Sequence, residues 1–169
     1  GGLTGIVLPD SVEFIGFSAS HSCSRLCDVK LGNGINAIEA DTFGYCINLT
    51  EMTIPETVTS IGKWAFGACT GLLRITIPDG VSTISENTFS GCEKLESITL
   101  GKSVSAIEDD FYGCRSLIKM EANIENAYYT ALEGILYTKD KKGLVKYPQG
   151  KEDVRFDIPD FVTGIGEKA

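Results

Sequence analysis

The chain has 169 residues, of which 43% are hydrophobic and 22% charged, and its formal net charge is −8. An acidic balance of this size opposes the phosphate neutralisation on which nucleic-acid binding depends, so we expect no nucleic-acid partner. The sequence contains no apolar run of the length that a membrane span needs, and we expect no membrane insertion of this segment.

Three residue types recur along the chain at an interval of 22 or 23 positions. The columns are Cys23, Cys46, Cys69, Cys92 and Cys114; Leu3, Leu26, Leu49, Leu72, Leu95 and Leu117; and Phe43, Phe66, Phe89 and Phe111. Such self-similarity is typical of a solenoid, in which stacked turns share a core that no turn can build alone. We therefore predict a single solenoid domain over residues 1–169, with turns that start near residues 3, 26, 49, 72, 95, 117 and 153.

The turn that starts at Leu49 shows the elements expected in each repeat. Met52 and Ile54 alternate with polar residues, which is the period of a strand with one buried face. Pro55 ends this strand because it has no N–H to donate. A second short strand is predicted over residues 58–61.

The end of each turn has a different apolar spacing. In the turn from Leu49, the apolar residues Ala65, Phe66 and Cys69 follow at i, i+1 and i+4. This spacing favours a single helical or 3₁₀ turn with its apolar side inward.

Two turns depart from the pattern, and one segment interrupts it. Ser20 stands where phenylalanine is expected in the first turn, and the fifth turn is one residue short before Phe111. After Met120 the period breaks, and residues 134–137 and 144–147 flank a polar, glycine-containing turn. This arrangement predicts a β-hairpin insert over about residues 123–151. Because the repeat is in phase at the start and cut at Ala169, we expect a fragment of a longer chain.

Five of the six cysteines share one phase of the repeat, which favours packing over a disulfide framework. Side chains stacked in a column point alike rather than at one another, so we expect mostly free, buried thiols that act as small hydrophobic groups. Cys27 lies outside the column, and its pairing stays open. A Cys23–Cys27 bridge is the pairing we would expect if any forms.

The motif Leu-x-x-Ile-x-Ile-Pro-x-x-Val-x-x-Ile-x-x-x-Ala-Phe-x-x-Cys, seen from Leu49 to Cys69 and with small changes from Leu72 to Cys92, resembles the BspA-like leucine-rich repeats of bacterial surface proteins. The resemblance covers nearly all of the chain, including the tyrosine-bearing insert. It implies a right-handed leucine-rich-repeat solenoid. In that fold a parallel β-sheet forms the concave face, and short second strands and short helical or 3₁₀ turns lie on the other side. It also implies an exported or surface-attached protein that serves adhesion or protein binding.

The sequence offers little material for catalysis, metal binding or a cofactor. His21 is the single histidine, and we interpret it as a surface residue of the first turn because no third group is suggested that would complete a catalytic set with a nearby cysteine. Residues 108–110 form an acidic cluster that we interpret as a solvated corner rather than a Ca²⁺ site. We expect no enzyme activity, no metal and no cofactor.

Side chains that point away from the core along the first strands form two predicted columns. The predicted protein-binding residues on this face are Asp28, Lys30, Glu51, Thr53, Arg74, Thr76, Ser97, Thr99, Lys119 and Glu121, with Gly5, Val7, Arg155 and Asp157 as outer members of the columns. Charges of both signs alternate and aromatic rings are absent, which favours a polar protein-binding face. The same threonines would also be expected in a purely structural strand ladder.

The insert supplies a second candidate surface. Four tyrosines fall within about twenty residues, and tyrosine is enriched at binding interfaces. Tyr137 and Tyr147 are the predicted contact residues of the insert, with the alternative that the rings only cover the edge where the period breaks.

Together these patterns predict a non-enzymatic protein-binding or adhesion module of a bacterial surface or secreted protein, at an extracellular or cell-surface location. The expected partner is a protein, for instance a host extracellular protein, and the solenoid ends offer a route to self-association. A structural spacer that presents another domain and a glycan-binding module are the alternatives.

Overall fold

The computed structural model describes residues 2–109 and 111–169. The strands in these ranges are β1 (Gly5–Val7), β2 (Phe14–Ile15), β3 (Asp28–Lys30), β4 (Ala37–Ile38), β5 (Ser60–Ile61), β6 (Arg74–Thr76), β7 (Thr83–Ile84), β8 (Ser97–Leu100), β9 (Ala106–Ile107), β10 (Lys119–Ala122), β11 (Tyr129–Leu132), β12 (Ile135–Thr138), β13 (Gly143–Lys146) and β14 (Gly164–Ile165). No helix forms anywhere in the described ranges, and hence none of a length and apolarity suited to crossing a bilayer.

Before the insert, the first extended segment of each turn joins a parallel ladder. β1 pairs with β3, β6 pairs with β8, and β8 pairs with β10, each in parallel. The third turn contributes two isolated parallel bridges, from Thr53 to Lys30 and from Glu51 to Arg74, which connect β3 to β6. Each partner lies one repeat away, so the register of this first ladder follows directly from the period.

A second ladder consists of the short strands that follow each corner. β2, β4 and β5 pair in parallel, as do β7 and β9, and later β13 and β14. The corner between the ladders is a tight turn in which Val58 donates its N–H to the carbonyl of Pro55 at 3.0 Å, and Val81 does the same to Pro78 at 3.2 Å. The predicted repeat solenoid with two strands per turn is confirmed.

The core lies between the ladders and consists of stacked columns of like residues. Phe43, Phe66, Phe89 and Phe111 stack ring on ring. Centroid distances are 5.6, 5.6 and 6.3 Å, and the planes lie within 13° of parallel. Each ring therefore depends on the turn before and after it for burial.

The predicted helical or 3₁₀ turns are wrong. The segment that ends each repeat consists of successive β-turns, in which Gly67 donates to the carbonyl of Trp64 at 2.9 Å and Cys69 to that of Phe66 at 3.2 Å. Trp64 and Ala68 have φ of 59° and 54°, in the left-handed region. A helix cannot propagate through left-handed residues at this spacing, because its dihedral angles are negative throughout.

All six cysteines are free thiols, so the Cys23–Cys27 bridge does not form. The four buried thiols donate hydrogen bonds across turns, in the pairs Cys46 to Ser20, Cys69 to Phe43, Cys92 to Phe66 and Cys114 to Phe89, with sulfur-to-carbonyl-oxygen distances of 3.0 to 3.2 Å. The column therefore bonds as well as packs, which is more than the predicted role of a small hydrophobic group. Burial, with a smaller contribution from Cys23, raises the pKa of the Cys46 thiol to about 11.

The predicted hairpin is present as β12 and β13, and β11 extends it to three antiparallel strands. Glu133 and Gly134, with φ of 52° and 80°, form the two-residue turn between β11 and β12. Asn126 anchors the insert. Its buried amide donates to the carbonyls of Gly101 and Val104 at 2.8 and 2.9 Å.

β13 then pairs in parallel with β14, so the short strand of the last turn extends the sheet of the insert. Val162 forms the same corner turn as earlier repeats, with Pro159 at 2.9 Å. Arg155 and Asp157 lie outside every strand and form an ion pair at 2.6 Å. They do not extend the first ladder, because β11 and β12 pack against β10 at that end.

Candidate functional site

The ten predicted residues of the first ladder form one continuous surface, which we call the outer face. One column contains Asp28, Glu51, Arg74, Ser97 and Lys119, and the other contains Lys30, Thr53, Thr76, Thr99 and Glu121. All ten are exposed or half-buried, while the residues between them on the same strands are buried. The register brings the set together as the period predicts. Their role in binding stays a prediction.

Ion pairs connect neighbouring charges on the outer face. Arg74 Nε lies 3.3 Å from Glu51 Oε1 on the adjacent turn, and Lys119 Nζ lies 2.7 Å from Glu121 Oε1 on the same strand. These exposed pairs contribute little to stability, on the order of 0–1 kcal/mol each. The same charged groups expose both donors and acceptors to solvent, and a polar partner can replace these exposed ion pairs at small cost.

Two shallow clefts indent this surface. The first, of about 250 Å³, lies beside Glu51, Thr53, Arg74 and Thr76. The second, of about 420 Å³, lies where β10 meets the insert, between Lys119, Glu121 and Glu133. The outer face and the insert thus meet in one continuous surface rather than forming two separate surfaces.

The structure corrects the prediction for Tyr137. Its side chain is 2% exposed and packs edge-on against Phe161 at a centroid distance of 5.9 Å, so it belongs to a small core of the insert and cannot form a surface contact. A tyrosine on a strand points inward or outward by register alone, and the one-residue irregularity between Leu136 and Tyr137 was not visible in the sequence.

Tyr147 is half-buried and packs on Phe156 at 4.8 Å. Its hydroxyl donates to the Asp153 carboxylate, and this hydrogen bond is the main cause that raises the pKa of Tyr147 to about 12. Tyr129, also half-buried, donates from its hydroxyl to the carbonyl of Ser105 at 3.0 Å. These contacts agree with the alternative in which the tyrosines cover the edge where the repeat is interrupted.

His21 lies in a small polar network rather than loose on the surface. Its Nδ1 is 3.0 Å from the Ser22 hydroxyl oxygen and its Nε2 is 3.4 Å from Asp41 Oδ2. The order serine, histidine, aspartate resembles a hydrolase triad, but such a site also needs N–H donors for an oxyanion. The N–H groups of Ser22, Cys23 and Ser24 all donate to backbone carbonyls instead.

The acidic corner is divided between two roles. Glu108 is exposed, whereas Asp109 is buried and its carboxylate accepts from the N–H groups of Phe89 and Phe111 at 2.6 and 2.7 Å. Asp110 lies outside the described residues. Among the residues that are described, no three histidine, cysteine or acidic side chains converge as a metal site would need.

Sequence reasoning missed one cluster altogether. In contrast to the polar outer face, this cluster is rich in aromatic rings. It lines a shallow open cleft of about 450 Å³, which we call the aromatic cleft, and includes Phe17, His21, Asp41, Tyr45, Lys63 and Trp64. Its three large rings occupy different positions of the repeat, so no column revealed them. No sequence signal marks the cluster, because the left-handed φ of Tyr45 and Trp64, both 59°, is known only from the structure.

The sequence profile described as "BspA type Leucine rich repeat region" matches residues 2–133 in six copies. No curated protein matches the sequence.

Several solved structures share the fold. A leucine-rich repeat protein from Eubacterium ventriosum superposes with a TM-score of 0.82 at 24% identity, over 96% of this chain and 43% of that one. The pneumococcal vaccine antigen PcpA gives 0.83 at 25%, over 96% and 41%. A leucine rich cell surface protein from Faecalibacterium prausnitzii gives 0.63 at 27%, over 95% and 50%.

The chain thus spans about half the length, or less, of these relatives. The family profile covers far more than half of the chain and includes the first five turns and the start of the insert. The chain belongs to the BspA-type leucine-rich repeat family, whose solved relatives are bacterial leucine-rich repeat proteins and include a cell surface protein.

Proposed function

We propose that the chain is a non-enzymatic protein-binding or adhesion module of a bacterial surface or secreted protein, and that it binds through the outer face. The observation that carries the proposal is the contrast between columns. The core columns keep one residue type from turn to turn, whereas the column from Asp28 to Lys119 changes charge at nearly every step.

This variation is not what strand formation favours. Aspartate, glutamate and lysine are depleted in strands, and a column selected for stability alone would contain β-branched residues. Repeat solenoids bind through the extended surface that stacking creates, so a column free of packing constraints is where a partner would select residues. The F. prausnitzii relative, a cell surface protein, supports an extracellular or surface location for this chain.

The structural spacer is the second candidate, and the Thr53, Thr76 and Thr99 column favours it. Three identical β-branched residues in register are a stabilising ladder that needs no partner. A spacer predicts that the outer face tolerates any soluble residue. A binding module predicts that reversal of its charges abolishes an interaction while the fold persists.

A pull-down against host extracellular proteins separates these candidates. The test variant combines Glu51→Lys, Arg74→Glu and Lys119→Glu. The control variant combines Glu93→Lys, Lys94→Glu and Arg115→Glu, three exposed residues outside the first ladder with the same change in net charge. Loss of a captured partner in the test variant alone supports the proposal. Equal capture by both variants and the parent chain contradicts it.

The insert is tested in the same assay. Because Tyr137 is buried, the exposed Tyr128 replaces it as the tyrosine to substitute, together with Tyr147. If partner capture survives the outer-face variant and is lost in Tyr128→Ala with Tyr147→Phe, the contact surface is the insert. Sedimentation of the parent chain at rising concentration tests the expected self-association through the solenoid ends.

A further inference from the structure

The aromatic cleft exposes rings that a solenoid of this kind would otherwise bury. Phe17 is 72% exposed, Tyr45 50% and Trp64 40%, whereas the stacked phenylalanines of the core are at most 1% exposed. The cleft lies on the end-of-repeat turns, away from the outer face. Three exposed rings around one concavity form an apolar, aromatic surface that a ligand can contact.

Glycines in the repeat make room for two side chains of the cleft. A Cβ at Gly67 would lie 2.4 Å from Cε3 of Trp64, and one at Gly44 would lie 2.3 Å from Oδ1 of Asp41. The indole ring and the carboxylate therefore lie against the backbone at positions where only glycine leaves room. Contact with the backbone limits the positions open to both groups before a ligand binds, which lowers the entropy cost of binding.

The polar groups of the cleft are also oriented. Asp41 Oδ2 accepts from the Ser18 hydroxyl at 3.1 Å, and the His21 ring stands edge-on to Tyr45 with centroids 5.3 Å apart. A carboxylate has about four acceptor sites, so Asp41 keeps capacity for further donors beyond Ser18 and His21. A fixed acceptor thus lies beside exposed ring faces.

Charge and size narrow the class of ligand. Lys63 Nζ pairs with Glu86 Oε2 at 2.8 Å, so the lysine charge is offset, and the Asp41 carboxylate already accepts from the Ser18 hydroxyl and lies 3.4 Å from His21 Nε2. This balance disfavours a strongly charged ligand. The volume of about 450 Å³ suits a molecule of one or two rings rather than a protein interface, which buries about 800 Å² on each partner.

We propose that the aromatic cleft binds a neutral pyranose, as a free glycoside or as the terminal unit of a glycan. The C–H face of the sugar stacks on the rings of Trp64 and Tyr45, where the negative face of the π-system meets the weakly positive C–H groups. Sugar hydroxyls donate to the Asp41 carboxylate. This site is separate from the outer face and does not rest on the function proposed above.

The repeat itself supplies variants that should fold. Tyr45 and Ala68 are one repeat apart, as are Asp41, Trp64 and Asn87. Both Ala68 and Asn87 have the left-handed φ of their equivalents, at 54° and 57°. Tyr45→Ala and Asp41→Asn therefore place at each position a residue type that the neighbouring turns already accommodate.

The test uses Trp64 as its reporter, because it is the only tryptophan of the chain. The probes are the methyl glycosides of glucose, galactose, mannose and N-acetylglucosamine, with tetramethylammonium chloride as a cationic comparison. We expect at least one glycoside to shift Trp64 emission to shorter wavelength in a saturable manner. Tyr45→Ala should weaken this association at least about tenfold, the order expected for one lost stacking contact. Asp41→Asn should weaken it as well, while Tyr128→Ala on the insert leaves it unchanged.

The proposal is overturned if no glycoside gives a saturable response with the folded chain, or if the response is the same in Tyr45→Ala. It is also overturned if only tetramethylammonium saturates the signal, since that result identifies a cation site. The outer-face variant with Glu51, Arg74 and Lys119 reversed should bind the glycoside normally. Failure of the sugar site and failure of the protein-binding face are thereby distinguished.

Discussion

The Asp109 carboxylate accepts a hydrogen bond at 2.6 Å from the N–H of Phe89, one turn away. In the preceding turns the equivalent N–H groups of Phe43 and Phe66 donate to the backbone carbonyls of Ala65 and Thr88. The fifth turn is one residue short, and a side-chain oxygen provides the acceptor there. A deletion that would interrupt the backbone ladder is thus offset by one buried acid.

Replacement of Asp109 should therefore destabilise the solenoid. Asp109→Ala leaves the N–H groups of Phe89 and Phe111 without this acceptor, and we expect a loss of about 3 kcal/mol in the free energy of unfolding, since each buried unsatisfied group costs about 1–3 kcal/mol. Asp109→Asn keeps one acceptor oxygen and should lose about half as much. Urea unfolding measures both, with the exposed Glu108→Ala as control. Equal stability of all three variants would refute the proposed bonding role.

Phe66 lies at the middle of the phenylalanine stack and touches a ring on either side. Phe66→Ala should lower the free energy of unfolding by about 3–5 kcal/mol and unfold the array cooperatively, because a cavity in one turn removes contacts from both neighbours. Phe14→Ala, at a position that is 67% exposed, is the matched control. A change below about 1 kcal/mol for Phe66→Ala would contradict its place in the core.

The cysteine column predicts both a count and a pattern of reactivity. Under denaturing, non-reducing conditions we expect all six thiols to react with a thiol reagent. The column of free thiols requires that at least four react. In the native protein Cys27, which is exposed, should react first, while the four buried thiols should react only as fast as the solenoid opens. Detection of no free thiol in the denatured chain would overturn the ladder.

The same burial makes stability depend on alkaline pH. Burial raises the pKa of Cys46 from 9.0 to about 11, and it raises the pKa of the Cys69 and Cys92 thiols as well. Between pH 9 and 11 the native state therefore keeps thiol protons that the unfolded chain releases. The contribution of these thiols to the free energy of unfolding should be fully present below pH 9 and should fall as the pH rises towards 11. Chemical unfolding between these values measures the loss. A variant with serine at all three positions should show a smaller decline, and an unchanged slope would contradict this origin.

The repeat period of the sequence predicts most of the fold. Pairings such as Glu51 with Arg74 and Thr76 with Thr99 follow from residues one repeat apart, and the structure has them. The turn chemistry could not be predicted in the same way. Apolar spacing around Phe66 is the same in a helix and in successive β-turns, and only the left-handed φ of Trp64 and Ala68 separates the two.

The two candidate sites also differ in whether the sequence predicts them. The outer face could be predicted because alternation along a strand determines which side chains point outward. The aromatic cleft could not, because Phe17, Tyr45 and Trp64 have no common phase and meet only through the geometry of the turns. Tyr137 was misplaced for a related reason, since a local irregularity in strand pairing determines which way its ring points.

The turns stack one strand spacing apart and align the outer face in columns. This stacking is tested by a distance measurement by electron paramagnetic resonance between nitroxide labels on Lys30→Cys and Glu121→Cys, with Cys23 and Cys27 replaced by serine. Four strand spacings of about 4.8 Å predict a backbone separation of about 19 Å, and moving the first label to Val7→Cys should add about one spacing more. A narrow distance distribution near these values supports stacking of the turns in register. A broad distribution, or a distance that does not grow by one spacing, would contradict it.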